Sequence, residues 1–200
     1  MTGGEGYYGE AVMDKFDKSF KWDSGSVEMH PQNIDVAVIR LKDRMDLSKG
    51  AKRILVAKGG TEPQKEMQVF GWGKTEGNNQ EEDPDTLQFA EISWQEPKTC
   101  RARDYEFCAY GSSSGTIRDS CVGDSGSGVE CTSSNGEKYL CGVVSMGPGP
   151  PNCGTTPGKY VKIGYPSVSE FILSENRSFA VALNAQMVLV FLLSMIKTVF

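Results

Sequence analysis

Three observations predict an all-β fold for this chain. Glycine (23 residues) and proline (9) punctuate it, with Ser, Thr and Asn between. Its apolar runs are short and rich in β-branched residues. Those runs recur about every 8 to 15 residues, the spacing of a sandwich or barrel. Taken in order, residues 1–33 are polar and glycine-rich with scattered aromatics, and follow neither a helical nor a strand period. IDVAVIRL (34–41) is β-branched and apolar and reads as a buried strand, whereas KGAKRILVA (49–57) is a weaker strand. MQVFGWG (67–73) reads as a strand ending in a turn, and EGNNQEEDPD (76–85) as a solvated acidic loop, not a calcium site. Further strands are expected at TLQFAEISW (86–94), GVECT (128–132), YLCGVVSM (139–146) and GKYVKI (158–163). After Pro166, YPSVSEFILSE (165–175) alternates at helical spacing and predicts one short amphipathic helix.

Composition narrows the function classes. With 38% apolar and 24% charged residues the chain is a folding globular one, which excludes disorder, collagen and coiled coil. A net charge of −5 leaves no broad basic face for phosphates, so nucleic acid is not an expected partner. Six cysteines lie within 54 consecutive residues, none at C-x-x-C spacing, so they read as disulfides and not as a metal site. Disulfides of that density belong to oxidising compartments, and a secreted or extracellular location is expected. The start MTGGEGYYGEAVMDKF carries no secretory leader pattern. The tail from Phe179 to Ile196 is 18 uncharged residues, and three readings of it stay open. It fits a removable lipid-anchor signal, a membrane segment or an ill-defined tail with neither role. Asn176-Arg177-Ser178 is a glycosylation sequon consistent with a secretory route.

The segment with most chemistry in it is Arg118-Asp119-Ser120-Cys121-Val122-Gly123-Asp124-Ser125-Gly126-Ser127-Gly128. A serine flanked by glycines on a tight turn is what an exposed nucleophile needs, because backbone N–H groups beside it can aim at a developing oxyanion. Gly-Asp-Ser-Gly alone arises by chance. Its combination with IDVAVIRL, GWG (71–73), VVSMG (143–147) and PGKY (157–160), in that order, does not.

With these motifs the chain resembles the trypsin/chymotrypsin family of serine peptidases over roughly residues 20 to 174. The resemblance implies a double β-barrel in which residues 1–60 are the remnant of an incomplete first barrel. Residues 61–174 would be an intact second barrel with a short C-terminal helix, and 175–200 an apolar tail. It implies that Asp35 is the buried triad aspartate, that Ser125 is the nucleophile, and that Gly123 and Ser125 supply the oxyanion-hole N–H groups. Asp119, six residues before the nucleophile, would floor the specificity pocket and pair with Arg or Lys. Gly147 and Gly158 would line its walls, and Ser145 would support Asp35. Disulfides between Cys121 and Cys153 and between Cys100 and Cys108 follow from the same comparison. Met67 stands where the family places the usual partner of Cys131, so a cross-strand bridge from Cys131 to Cys141 is expected. No cofactor and no metal are implied. The implied partners are protein or peptide substrates with Arg or Lys at the cleaved bond, and proteinaceous inhibitors, with membrane anchorage through the tail.

The pattern breaks in three places. The family's Ala-Ala-His-Cys motif is absent, and the one histidine, His30 in MHPQNID, reads as an ordinary surface-loop residue. The Ile-Val-Gly-Gly start, whose freed amine would pair with Asp124, and the leader are absent too. One upstream segment of about 100 residues would supply all three, and without it residues 1–60 are expected to leave unpaired strand edges and exposed apolar surface. Beside the site, Ser127 and Gly128 replace the usual Gly-Pro, and Met146 replaces a tryptophan of the groove. The expected function is therefore a trypsin-like endopeptidase that is inactive as this chain stands. The alternative is a non-catalytic homologue acting as a protein-binding or regulatory module.

Overall fold

The computed structural model describes residues 4–16, 18–41, 45–48, 51–75, 84–113, 116–149, 153–180 and 188–191. Its strands are β1 (Gly4–Tyr8), β2 (Lys18–Trp22), β3 (Val27–Met29), β4 (Ala37–Arg40), β5 (Leu55–Val56), β6 (Glu66–Gly71) and β7 (Gln88–Gln95). They continue with β8 (Glu106–Ser113), β9 (Thr116–Arg118), β10 (Gly128–Thr132), β11 (Lys138–Met146) and β12 (Gly158–Lys162). The helix α1 (Pro166–Ala180) precedes a last strand, β13 (Val188–Phe191).

Six strands in the order β10-β6-β7-β8-β12-β11 close into an antiparallel barrel, because β10 also pairs with β11. Period-two alternation makes the closure possible. Along β6, Met67, Val69 and Gly71 point inward and the residues between them outward. The barrel interior is filled by Met67, Val69, Ile92, Phe107, Val129, Val144 and Tyr160, among others. Phe107 stacks on Tyr160 at 5.1 Å, and Gly142 leaves the space under that ring, where a Cβ would meet Phe107 at 2.8 Å.

β11 and β12 are buried on both faces. While Val144 and Tyr160 point into the barrel, Val143 and Val161 point out of it. There they pack with Ile34, Val36, Val38, Ala57 and the α1 residues Val168 and Ile172. This second core fixes the 34–38 segment against the back of the barrel. Such burial on both sides explains why YLCGVVSM and GKYVKI read as near-continuous apolar runs.

Outside that barrel the described residues of the N-terminal part form the β1–β2 hairpin and a three-stranded sheet in the order β13-β4-β3, held around Phe20, Trp22, Ile39 and Leu41, and these do not close on one another. Residues 1–33, which show no sequence period, thus contain three strands. The cause is local: Gly4 and Gly6 lie against the rings of Trp22 and Phe20, where a Cβ would come within 2.6 and 2.3 Å. Apolar contact is made with glycine backbone, which leaves no alternating side-chain signal to read.

Other differences have similar causes. β8 and β9 are not legible in the sequence, because EFCAYGSS is rich in small residues and gains its strand form from pairing with β7 and β12. KGAKRILVA contributes only Leu55 and Val56, in parallel register beside Tyr139 and Leu140 of β11. IDVAVIRL is a strand only from Ala37. α1 runs past its expected end, to Ala180. β13 pairs along β4, so that edge is occupied, although Tyr7, Met13, Met29, Ile54 and Leu55 remain exposed. Of the predicted tail, only β13 and the end of α1 lie within the described residues, and among these no helix is long and apolar enough to cross a membrane. Most of the acidic loop 76–85 lies outside them.

His30 is not a surface residue. It is 3% exposed, and its ring meets Phe171 of α1 edge-on at 5.1 Å. The N–H of Gln32 donates to Nδ1 at 3.2 Å, so Nε2 carries the proton it shares with the Ser167 carbonyl, also at 3.2 Å. The residue clips the 30–33 turn to the helix. His30→Ala is expected to destabilise the protein by about 2–4 kcal/mol in chemical unfolding. A loss below about 1 kcal/mol would contradict this role.

Candidate active site

Asp35 sits at the centre of a tight turn, with the N–H of Val36 donating to the Ile34 carbonyl at 2.7 Å. Ile34 and Val36 both enter the second core, so Asp35 points the opposite way. Its carboxylate is exposed, which corrects the expectation of a buried aspartate: the core lies behind the turn, not over it. Ser145 Oγ donates to Asp35 Oδ2 at 2.8 Å.

Ser125 lies in the loop between Cys121 and β10. Two turns shape that loop, with the Asp124 N–H on the Cys121 carbonyl at 3.0 Å and the Ser127 N–H on the Asp124 carbonyl at 2.9 Å. Gly123 (φ 103°) and Gly126 (φ 89°) take the left-handed conformations these turns require. The loop is fastened to β11 through Val144, whose carbonyl accepts from Gly126 N–H and whose N–H donates to the Ser127 carbonyl, both at 2.9 Å. The adjacent Ser145 holds Asp35. Residues 144 and 145 therefore anchor the Ser125 loop and Asp35 on one short stretch of strand. Among the described residues, the N–H groups of Gly123 and Ser125 and the Ser125 hydroxyl have no hydrogen-bond partner.

Asp124 is buried under the GWG turn. Its Oδ1 accepts from the Gly73 N–H at 2.8 Å and its Oδ2 from the Cys121 N–H at 2.9 Å. A Cβ on Gly71 or Gly73 would come within 1.8 or 2.5 Å of the Asp124 side chain, so this turn has no room for any other residue. The Ser127 hydroxyl lies on the same side, 3.3 Å from where a Gly71 Cβ would stand. A cavity of about 530 Å³ opens between this turn, the start of β7 and the 118–124 segment, with both Asp119 and Asp124 in its lining.

Asp119 is held from three sides. The N–H of Ser120 donates to Oδ1 at 2.8 Å, the Tyr160 hydroxyl donates to the same oxygen, and the Gly158 N–H donates to Oδ2 at 2.8 Å. Burial pushes its pKa up to about 6, against the lowering effect of those hydrogen bonds, the one from Tyr160 first. Burial and the neighbouring Asp119 charge hold the Tyr160 hydroxyl protonated, well above the ordinary tyrosine range. An aspartate whose folded pKa is raised binds more protons folded than unfolded. Its contribution therefore favours the fold at acid pH and is lost as pH rises toward about 6. At neutral pH the ionised carboxyl costs on the order of 3 kcal/mol.

Gly147 and Gly158 stand side by side just past Met146 and at the start of β12. A Cβ on Gly147 would lie 3.8 Å from the Gly158 Cα, and one on Gly158 would lie 2.9 Å from Asp119. Met146 is 62% exposed at the end of β11. Three disulfides frame the region: Cys121–Cys153, Cys100–Cys108 and Cys131–Cys141. The structure thus brings Asp35, Ser145 and the Ser125 loop together, and groups Asp119 with Gly147 and Gly158. His30 is tied instead to α1. Sequence reasoning missed Ser120 and Tyr160 as partners of Asp119. Tyr160 shares a strand face with Gly158 two residues earlier, the only sequence sign of that role.

The sequence model of the trypsin family matches residues 12–171. Among curated proteins, the CLIP domain-containing serine protease HP8 of Bombyx mori is 31% identical over 158 residues, 72% of this chain and 41% of that protein. Transmembrane protease serine 9 of Rattus norvegicus is 32% identical over 154 residues, 69% of this chain and 14% of that protein. Phenoloxidase-activating factor 1 of Holotrichia diomphalia is 30% identical over 140 residues, 65% of this chain and 37% of that protein. The chain thus aligns with less than half the length of each of these relatives. Matched over most of its length, in a closed six-stranded barrel that carries the Gly-Asp-Ser-Gly loop, the chain belongs to the trypsin family of serine peptidases.

Proposed function

We propose that this chain carries the site of a trypsin-like endopeptidase that recognises Arg or Lys and forms an acyl-enzyme on Ser125. The observation that carries this reading is the setting of Asp119. Its carboxylate is backed by three protein donors and faced by two glycines, with no other described cation bonded to it. A guanidinium or ammonium entering there finds a desolvated anion, which strengthens the pairing. In this reading Ser125 Oγ attacks the carbonyl following the basic residue, and the N–H groups of Gly123 and Ser125 stabilise the oxyanion. Asp35, tied by Ser145, orients the base that takes the Ser125 proton, and His30 is not that base, because it is committed to Gln32 and Ser167.

Further parts of the proposal follow from the disulfides and the barrel. The protein works outside the cell or at its surface. Its partners are protein substrates with basic residues and proteinaceous inhibitors, and no cofactor takes part. Residues 1–60 form the first-barrel unit, 61–174 the unit with the nucleophile and pocket, and 175–200 a tail that anchors or is removed. The engagement of His30 on α1 favours a second reading, in which the chain is a non-catalytic homologue that binds protein partners.

Benzamidine, an aromatic amidine, tests the recognition step. The chain is expected to bind it at pH 7.5, with affinity lost at least thirtyfold in Asp119→Ala, because the cation then lacks its counter-charge. Binding should also weaken about tenfold at pH 5, where most of Asp119 is protonated. Equal affinity in the wild type and Asp119→Ala, by calorimetric titration, would remove the trypsin-like reading.

A further inference from the structure

We propose that the exposed Lys52-Arg53 pair is a processing site for an endopeptidase specific for basic residues, and that the cut leaves two chains held together by the core behind the barrel. This site is independent of the role assigned to Asp119.

An endopeptidase needs a basic side chain free in solvent and a stretch of backbone that can straighten into its groove. Lys52, Arg53, Ile54 and Leu55 are all exposed, the last two at 43% and 52%. Residues 51–53 belong to no helix or strand and make no backbone hydrogen bond to another described residue. The stretch that follows is weakly held, because β5 is two residues long and lies at the edge of the sheet, in parallel register beside Tyr139 and Leu140. An edge pairing that short opens without unfolding the rest.

Several other exposed basic residues are fixed in place. Lys21 lies in β2, Arg118 in β9 and Lys138 in β11, while Arg101 and Arg103 sit in the loop closed by Cys100–Cys108. Lys58 starts a turn, its carbonyl accepting from the Thr61 N–H at 3.0 Å. Lys52 and Arg53 are the pair that joins exposure to irregular backbone.

The consequence follows from what crosses the cut. Hydrolysis adds water across the peptide bond after the recognised residue, giving a new carboxylate and a new amine. None of the three disulfides spans residue 53, so no covalent link bridges the two pieces of this chain. Packing does bridge them: Ile34, Val36 and Val38 are buried with Val143, Val161, Val168 and Ile172. Ser145 Oγ reaches Asp35 Oδ2 at 2.8 Å across the cut, and His30 the Ser167 carbonyl at 3.2 Å. The piece that carries Asp35 therefore stays in place while the protein is folded. After unfolding it returns only by a bimolecular encounter, since the effective concentration supplied by chain connection is gone.

The test treats the full 200-residue chain with trypsin at a low ratio and times the products by mass spectrometry. The first cut between β2 and α1 is expected after Lys52 or Arg53. The double variant Lys52→Gln with Arg53→Gln, matched to the parent in urea midpoint, should lose that cut by about twentyfold or more. A first cut elsewhere in that range, or equal rates at many basic residues as cleavage through global unfolding gives, would overturn the site. The nicked protein should elute as one species in size-exclusion chromatography, and its urea midpoint should rise with protein concentration while that of the intact chain does not. Separation of the pieces without denaturant, or a midpoint independent of concentration, would overturn the two-chain state.

Discussion

An arginine-containing peptide is expected to be cleaved by these 200 residues alone on the order of 10⁶-fold more slowly than by a complete Ser-His-Asp site. The serine hydroxyl is a weak nucleophile at neutral pH, and its attack requires a group to take the proton as the bond forms. Within the chain no histidine is available, since His30 donates to the Ser167 carbonyl and accepts from Gln32. In the proposed reading what remains is binding at Asp119 and the two oxyanion N–H groups, which act on the carbonyl but not on the proton. Mass-spectrometric quantification of products at high enzyme concentration measures the residual rate. Cleavage at ordinary protease rates, abolished by Ser125→Ala, would mean that another residue of the chain acts as base and would sink this account.

The second large effect concerns the bridge between Cys131 and Cys141, which are each 1% exposed in the barrel core. In the β10–β11 ladder Glu130 faces Leu140 while Val129 faces Gly142, so Cys141 is the extra residue of a bulge. The disulfide pins that bulge. The same strand carries Val144 and Ser145 three and four residues later, and a one-residue slip would turn Ser145 away from Asp35. With a sequence separation of 10, loop-closure entropy and the two truncated side chains together predict a loss of about 3–4 kcal/mol for the double Ala variant. Urea unfolding of the variant and the oxidised parent measures it. A loss under about 1 kcal/mol would show that packing of Met67 and Val129 alone holds the hairpin.

Much of the second barrel was legible, because its strands follow simple rules. MQVFGWG, GVECT, YLCGVVSM and GKYVKI each bury one or both faces against apolar neighbours, and their β-branched runs report that directly. The first barrel was not legible in residues 1–33. There, β1 packs glycine backbone on the rings of Phe20 and Trp22, and β3 is three residues held by its pairing with β4. β8 escaped for a related reason, since Gly111 must pass so close to the Glu91 carbonyl that a Cβ would sit 1.9 Å from it. Strand form at such positions comes from neighbours distant in sequence.

At the site, local chemistry and tertiary placement divide cleanly. The order of motifs through Asp35, Asp119 and Ser125 was enough to point to a serine peptidase family, because a glycine-flanked serine and the residues around it are short-range features. The exposure of Asp35, the burial of His30 and the donors around Asp119 were decided only in three dimensions. Each depends on a contact across many residues: Asp35 with Ser145, His30 with Ser167, and Asp119 with Gly158 and Tyr160. Sequence determines which groups are present and their local geometry. Packing of the 34–38 segment and α1 onto the back of β11 and β12 decides which of those groups meet.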